Sequence, residues 1–230
     1  MRWHVYDTRE ELAEGLATGI AAVLAGAIAV SGSARLAVSG GTTPITFFGR
    51  LSTADIPWEL VTIGLVDERF APAQSPRLNV NSVRNHLMKN KAANARLFAM
   101  HDGIESDINA ACLAANRGMT MLGSYDALVL GMGGDGHTAS LFPGGDNLAA
   151  ALDLATSERV MTMAAPGAGE PRLTMTLGAI LDAGFLALHI EGAEKRAVLE
   201  RALSEGDDRE LPVRAVLRNA ADRLQIFWAP

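Results

Sequence analysis

Short apolar segments alternate with helix-like segments from one end of the chain to the other, and this alternation limits the fold more than any other feature. Apolar strands are predicted at residues 3–6, 35–38, 61–66, 125–130, 159–164, 185–190 and 224–228. Continuous apolar strands separated by helices are typical of a parallel sheet that is covered on both faces. The sequence therefore predicts one α/β domain over residues 1–230, with a mostly parallel, Rossmann-like sheet flanked by helices on both faces.

Helix starts are predicted from capping residues. Thr8 and Glu11 have the spacing of a capping box, which opens a helix that runs to about Val30. Further helices are predicted over residues 44–51, 80–89, 106–117, 173–181 and 194–203. The last two would place Arg172 and Lys195 at the beginnings of helices.

The charge balance excludes some classes of function. The chain has 230 residues, with 20 Lys and Arg against 26 Asp and Glu, and a formal net charge of −6. No nucleic-acid partner is expected, because no global positive field would recruit a phosphate backbone. The charge balance does not exclude a small anionic ligand, because a few local Arg and Lys side chains suffice to hold one phosphate.

Metal ions, disulfides and membranes are not expected either. The single cysteine, Cys112, excludes an internal disulfide, and we interpret it as a packing residue. The histidines are far apart and show no metal-ligand spacing, so neither a metal nor another cofactor is expected. The apolar run over residues 16–30 is shorter than a membrane span, and the N-terminus lacks the core of a signal peptide. We therefore expect a cytoplasmic protein, whose oligomeric state stays open.

Polar and glycine-rich loops directly follow three of the predicted strands. The first loop, residues 39–44, reads SGGTTP; the second is Asp67–Arg69; the third, residues 131–137, reads GMGGDGH. In open α/β sheets, ligands bind in the crevice beyond the carboxyl ends of the strands. The three loops are therefore predicted to converge on one site.

The first loop has the composition of an anion site. Gly40 and Gly41 would let a ligand approach the backbone, and the hydroxyls of Thr42 and Thr43 would add hydrogen bonds at a helix N-terminus. The plain alternative is a tight turn in which Thr43 caps the helix. The Walker pattern GxxxxGK[ST] is absent, so ATP is not expected.

The third loop presents a histidine. Its GxGxxG-like pattern is not followed by an apolar helix and its strand is not the first, which argues against a dinucleotide site. His137, two residues after Asp135, suits a general base, and the alternative is an ordinary loop histidine. Asp67 and Arg69 belong either to the same site or to a surface charge cluster.

These motifs, in this order, resemble the 6-phosphogluconolactonase family, which is related to glucosamine-6-phosphate isomerase/deaminase. The resemblance covers nearly the whole chain. The matching segments are SGGTTP at 39–44, VDER at 66–69, Asn79, GMGGDGHTASLFP at 131–143, PRLTMT at 171–176 and IEGAEK at 190–195. The chain departs from the family pattern at residues 71–74 and at Leu78, where the family has a proline-aspartate segment and a serine.

The resemblance implies a sugar-phosphate site that hydrolyses 6-phosphoglucono-1,5-lactone in the pentose phosphate or Entner–Doudoroff pathway. It implies that His137 is the catalytic base, and Asp135 or Asp67 would orient its ring. The phosphate would lie near Gly41, Thr42, Thr43, Arg172 and Lys195, and the other implied substrate-binding residues are Gly40, Arg69 and Asn79.

One position separates the two activities of the superfamily. The isomerase/deaminase relatives carry a glutamate that supports ring opening, whereas the matching residue here is Phe142. Phenylalanine cannot move a proton, so the sequence favours the hydrolase. Two alternatives stay open: an altered isomerase/deaminase-like enzyme, and a non-catalytic sugar-phosphate sensor.

Overall fold

The computed structural model describes residues 1–101, 103 and 106–230. Its helices are α1 (Arg9–Ser31), α2 (Ile45–Leu51), α3 (Asn79–Ser82), α4 (Ile108–Leu122), α5 (Leu148–Leu152), α6 (Leu177–Leu181), α7 (Ala193–Leu203) and α8 (Val213–Ala220). Its strands are β1 (Arg2–Val5), β2 (Ala34–Val38), β3 (Val61–Leu65), β4 (Asp67–Arg69), β5 (Arg96–Phe98), β6 (Ala127–Leu130), β7 (Val160–Met163), β8 (Arg172–Met175), β9 (Phe185–Glu191) and β10 (Leu224–Ala229).

Seven strands form one parallel sheet, in the order β1-β10-β9-β6-β2-β3-β5, which confirms the predicted fold class. Val38 near the end of β2 lies opposite Leu65 of β3 and Val129 of β6. The carboxyl ends of these three central strands are therefore nearly level, and the loops that follow them emerge side by side.

Apolar side chains cover the sheet on both faces. Along β6, Ala127 and Val129 belong to one buried cluster, whereas Leu128 and Leu130 belong to the other, as the alternation of side chains along a strand requires. The first cluster includes α1 and α2, and the second includes α4 and α6 to α8. Both clusters support the same strand ends from opposite sides.

Helix α1 starts where its capping box predicts, because Thr8 accepts a hydrogen bond from the backbone N–H of Glu11 at 3.1 Å. By length and composition alone, α1 could cross a membrane, a test that the core helices of soluble proteins also pass. In the fold, the side chains of Leu12, Leu16 and Ile20 on one face of α1 have no solvent exposure and pack against the sheet.

A second, antiparallel sheet of β4, β8 and β7 was not predicted. The helix predicted over residues 173–181 is wrong in its first part. Residues Arg172–Met175 form β8, which is buried along its whole length between two partner strands, and only Leu177–Leu181 is helical. Arg172 therefore begins a strand and lies opposite Arg69 of β4.

Other boundaries also differ from the predictions. The side chain of Asp107, not of Ser106, caps α4, which continues to Leu122. Pro44, not Thr43, is the residue before α2, and it makes no side-chain cap. The helix predicted over residues 80–89 is α3 followed by a π-helical turn. Strand β5 and helices α5 and α8 were not predicted.

Candidate active site

A cavity of about 350 Å³ opens at the carboxyl ends of the central strands, beside the small antiparallel sheet. Its walls include these residues named from the sequence: Gly40, Gly41, Thr42, Thr43, Asp67, Arg69, Asn79, His137, Arg172 and Lys195. Asp135 stands behind this wall and contacts the His137 ring. The structure thus brings the three predicted segments together in one place, although the second, Asp67–Arg69, is strand β4 and not a loop, because it pairs with β8.

Asp135 holds the His137 ring in a defined orientation. One carboxylate oxygen, Oδ1, lies 2.5 Å from His137 Nδ1 and accepts a hydrogen bond from the His137 backbone N–H at 3.1 Å. The hydrogen bond from His137 lowers the pKa of Asp135 below its usual value, so the carboxylate is ionised at neutral pH. The Nδ1 proton therefore points at Asp135, which leaves Nε2 as the nitrogen for a water or a substrate.

Two glycines are required where side chains crowd the cavity wall. A Cβ atom on Gly133 would lie 2.2 Å from Cε1 of His137 and 2.7 Å from Oδ1 of Asp135. A Cβ atom on Gly40 would lie 2.2 Å from Oδ1 of Asn79. All three distances are far below van der Waals contact, so each glycine makes room for its neighbouring polar side chains.

Phe142 lies between the histidine and an arginine. Its ring centroid is 4.3 Å from that of His137, and the guanidinium carbon of Arg172 lies 5.6 Å from the Phe142 centroid. The position that resembles the proton-transferring glutamate of the isomerases is thus occupied by an apolar ring that packs on the imidazole. The sequence had singled out Phe142 as a substitution, but not as a contact of His137.

Asp67 has a different role from Asp135 in this geometry. Its Oδ2 accepts a hydrogen bond from the Ser140 hydroxyl at 2.6 Å and lies 3.9 Å from a guanidinium nitrogen of Arg172. Its backbone carbonyl accepts from Nδ2 of Asn79 at 3.0 Å. Of the two carboxylates proposed to orient His137, Asp135 contacts the ring, and Asp67 ties Ser140, three residues after His137, to β4.

Arg172 and Arg69 form a cationic pair on the small sheet. Arg172 donates to the carbonyl of Ala168 at 2.7 Å and has an exposed fraction of 8%. Burial lowers the pKa of Arg172 from its usual high value, with nearby Arg69 acting in the same direction. The Nε–H of Arg69 is buried and has no acceptor within the described part of the chain. An anion in the cavity would supply one.

Lys195 provides a further cation of the cavity wall, beside the first loop. Its Nζ lies 3.4 Å from Oγ1 of Thr43, so the helix after β9 and the loop after β2 meet here. Burial lowers the pKa of Lys195, and the charge of Glu191 opposes that shift. His189, which was not predicted, also lines the cavity, and its Nε2 lies 3.0 Å from Glu191. Its place near the end of β9 was the signal that could have found it.

A second cavity of about 340 Å³ lies between α4, α5 and β7. It is lined by Cys112, Asn116 and Glu158, and by none of the residues predicted for the site. Cys112 is half-buried and packs against the core. Within residues 1–101, 103 and 106–230, no cluster of three His, Cys, Asp or Glu side chains could hold a metal ion.

Comparisons with known proteins point to one family. The family model for glucosamine-6-phosphate isomerases/6-phosphogluconolactonase matches residues 7–228. A 6-phosphogluconolactonase of Rhizobium meliloti (strain 1021) is 50% identical over 227 residues, which cover 99% of this chain and 98% of the relative. The crystal structure of a 6-phosphogluconolactonase from Shewanella baltica OS155 is 35% identical, with a TM-score of 0.95 and coverage of 100% and 98%.

A solved monomeric glucosamine-6-phosphate deaminase is also similar, with a TM-score of 0.81, 20% identity and coverage of 100% of this chain and 97% of that chain. At that identity the likeness shows the fold alone. The family-model match and the full-length relative at 50% identity carry more weight. The chain therefore belongs to the family of glucosamine-6-phosphate isomerases and 6-phosphogluconolactonases, as its loop motifs predicted.

Proposed function

We propose that this protein is a carboxylic ester hydrolase that converts 6-phospho-D-glucono-1,5-lactone and water to 6-phospho-D-gluconate. The relatives named 6-phosphogluconolactonase support the activity. The observation that carries the proposal is the Asp135–His137 pair at the wall of a cavity that Arg172 and Lys195 also line. A lactone hydrolase needs one base beside a site for an anionic substrate, and this cavity offers both.

The proposed reaction begins at Nε2 of His137. This nitrogen takes a proton from a water molecule as the water oxygen attacks the lactone carbonyl carbon, C1. The tetrahedral intermediate then collapses, the bond from C1 to the ring oxygen breaks, and the imidazolium returns its proton to that oxygen. Asp135, hydrogen-bonded at Nδ1, stabilises the imidazolium between the two steps.

Cationic groups would stabilise the phosphate of the substrate and the oxyanion that forms at C1 in the tetrahedral intermediate. Lys195 and the loop of Gly41, Thr42 and Thr43 would hold the phosphate, because they combine an ammonium group, hydroxyls and backbone N–H groups. Arg172 would assist the phosphate or meet the oxyanion at C1, because it stacks on Phe142 next to the His137 ring. The product would feed the pentose phosphate or Entner–Doudoroff pathway.

No observation favours the two alternatives. Isomerisation needs a second group that moves a proton, and the apolar ring of Phe142 packs on His137 at the matching position. A sensor without catalysis has no use for a carboxylate that orients one imidazole nitrogen into the cavity. The lactonase therefore remains the one function that we propose.

The test compares three substrates with the same enzyme preparation. Freshly made 6-phosphogluconolactone should be hydrolysed well above its spontaneous rate, and glucosamine 6-phosphate should not be converted. Unphosphorylated gluconolactone should be a poor substrate, because each lost charge-assisted contact with the phosphate costs about 1.5–3 kcal/mol. Equal turnover of both lactones would contradict the assigned phosphate site.

A further inference from the structure

Glu68 is buried beside the cavity and makes hydrogen bonds that no step of the proposed reaction uses. The side chain has no solvent exposure. Its Oε1 accepts from the backbone N–H groups of Arg69, at 2.7 Å, and Asn79, at 2.6 Å. Its Oε2 accepts from the backbone N–H of Val80 at 2.7 Å. One carboxylate thus joins strand β4 to the start of helix α3.

Two of the three residues whose backbone N–H groups Glu68 accepts from belong to the cavity wall. Asn79 and Arg69 both line the cavity, and the Asn79 side chain donates to the Asp67 carbonyl at 3.0 Å. Leu78 is the residue before helix α3, and its side chain makes no capping hydrogen bond. The Glu68 carboxylate is therefore the acceptor for the first N–H groups of α3, and it supplies the cap from another element.

The three hydrogen bonds need the ionised form of Glu68. A carboxylate accepts at both oxygens, whereas a protonated carboxyl group carries an O–H donor on one of them. Each oxygen already accepts from at least one backbone N–H, so protonation makes one oxygen a poorer acceptor, removes the charge that strengthens all three bonds and adds an O–H donor among three N–H donors. Protonation of Glu68 would therefore loosen the junction between β4 and α3.

The surroundings of Glu68 bring this change close to neutral pH. Burial raises the pKa of Glu68 to about 7, and the charge of Asp67 adds to the shift, although the backbone N–H groups oppose it. The charged groups around it are Asp67 and Arg69 on its own strand and Arg172 on β8, whereas α3 presents backbone N–H groups. Arg172 stabilises the ionised form, but this does not offset the burial.

We propose that Glu68 is a positioning residue for the lactone site: its carboxylate holds Asn79 and Arg69 in the arrangement that binds substrate, and its protonation releases them. This inference rests on the proposed function. The consequence is a rise of KM on the acid side of neutrality, with a smaller change of kcat. The carboxylate touches no substrate, so its effect passes through the backbone of the two residues that it holds.

The kinetic test compares the pH profiles of KM and kcat for the wild type and Glu68→Gln. In the wild type, KM should rise about tenfold as the pH falls through about 7. In Glu68→Gln, KM should already be high at alkaline pH and should lose that pH dependence, while kcat changes less. The control Glu158→Gln alters an exposed carboxylate at the second cavity and should keep the wild-type profile. A Glu68→Gln enzyme with wild-type KM at every pH would overturn the proposal.

A second measurement needs neither substrate nor a folded variant. The exchange of the Asn79 and Val80 amide protons, corrected for the intrinsic effect of pH, should lose protection in the wild type as the pH falls through about 7. Loss of protection at these two amides, while the amides of the other α-helices stay protected, would support the proposal. Protection that is independent of pH would overturn it, whatever the lactonase assay gives. If the protection of Asn79 and Val80 depends on pH as expected but the enzyme has no lactonase activity, only the proposed function would be overturned.

Discussion

At the scale of single residues, the hydrogen bond between Asp135 and His137 decides which nitrogen does the chemistry. His137→Ala removes the proposed base, so kcat should fall about 10²- to 10⁴-fold once the spontaneous hydrolysis of the lactone is subtracted. The dissociation constant of 6-phosphogluconate, measured by titration, should stay nearly unchanged, because the phosphate contacts remain. A loss of kcat below about tenfold would show that another residue is the base.

The two carboxylates near the site should respond differently to neutralisation. Asp135→Asn leaves the ring with a neutral partner, and the Asn amide can donate to Nδ1 and favour the unproductive tautomer, so kcat should fall while KM stays near the wild-type value. Asp67→Asn keeps an oxygen for the Ser140 hydroxyl and should affect kcat less. Steady-state kinetics of both variants decide the matter. The reverse order would assign the orienting role to Asp67.

Lys195 and its neighbour Arg196 provide a matched pair for the phosphate site. Lys195→Ala should raise KM roughly 10- to 150-fold, the equivalent of about 1.5–3 kcal/mol for one charge-assisted contact. Arg196 is the next residue, yet its guanidinium lies over the Trp228 ring, 4.5 Å from the centroid. Arg196→Ala should therefore leave KM within about twofold. Similar effects of the two substitutions would mean that net charge, and not the position of Lys195, binds the phosphate.

The role of a site residue could be predicted from the sequence where its partner lies on the same short segment. His137 and Asp135 lie two positions apart on one loop, so their contact follows from the sequence. The partners of Glu68 are 11 and 12 positions away on another element, and nothing in the sequence alone indicated them. Phe142 was singled out only as a substitution, and His189 carried only the signal of its place near the end of β9, so that both line the cavity became clear from the packing.

At the scale of elements, the glycine-rich third loop offers a test at two adjacent positions: Gly133 needs glycine, and Gly134 does not. Gly133→Ala should displace the His137 ring, because the new Cβ would lie 2.2 Å from Cε1, and kcat should fall at least tenfold. Gly134→Ala is the control, since a Cβ there meets no atom within 4 Å. Thermal unfolding should show that both variants fold. Equal kcat for the two variants would contradict the crowded geometry.

The error at β8 shows why this element could not be predicted. The segment Arg172–Met175 has only four residues and alternates polar and apolar side chains, and so short a run does not distinguish a buried strand from the start of a helix. Its state is decided by the hydrogen bonds that β4 and β7 make on its two edges. Strand β7 directly precedes β8 along the chain, but β4 lies about 100 residues away, so the three-stranded antiparallel sheet becomes visible only in the folded chain.

At the scale of the whole molecule, the alternation of strands and helices was sufficient for the parallel sheet, and the sheet was sufficient for the position of the site. Parallel strands end at the same edge, and Val38, Leu65 and Val129 lie at one level in the register. Polar loops after these strands therefore had to meet. The volume of the cavity and the second sheet that closes it depend on packing between distant segments, which the pattern did not contain.

The buried Glu68 should also make the stability of the whole fold depend on pH. Its pKa is raised from 4.5 to about 7 in the folded protein, so the folded state binds this proton more tightly than the unfolded chain. The resulting stabilisation is complete below about pH 4.5 and is lost as the pH rises through about 7. Its size is about 3 kcal/mol for a shift of this extent.

Chemical denaturation of the wild type and Glu68→Gln at several pH values isolates this contribution. The free energy of unfolding of the wild type relative to the variant should fall as the pH rises through about 7, because all other groups are shared. Asp135, whose pKa is lowered, acts in the opposite sense at more acid pH but cancels in the difference. A difference that is flat with pH would show that Glu68 titrates normally. If the difference in the free energy of unfolding does fall with pH, the ionised form of Glu68, which positions Asn79, is also the form that lowers the stability of the fold. Such a trade-off between stability and function is common at functional sites.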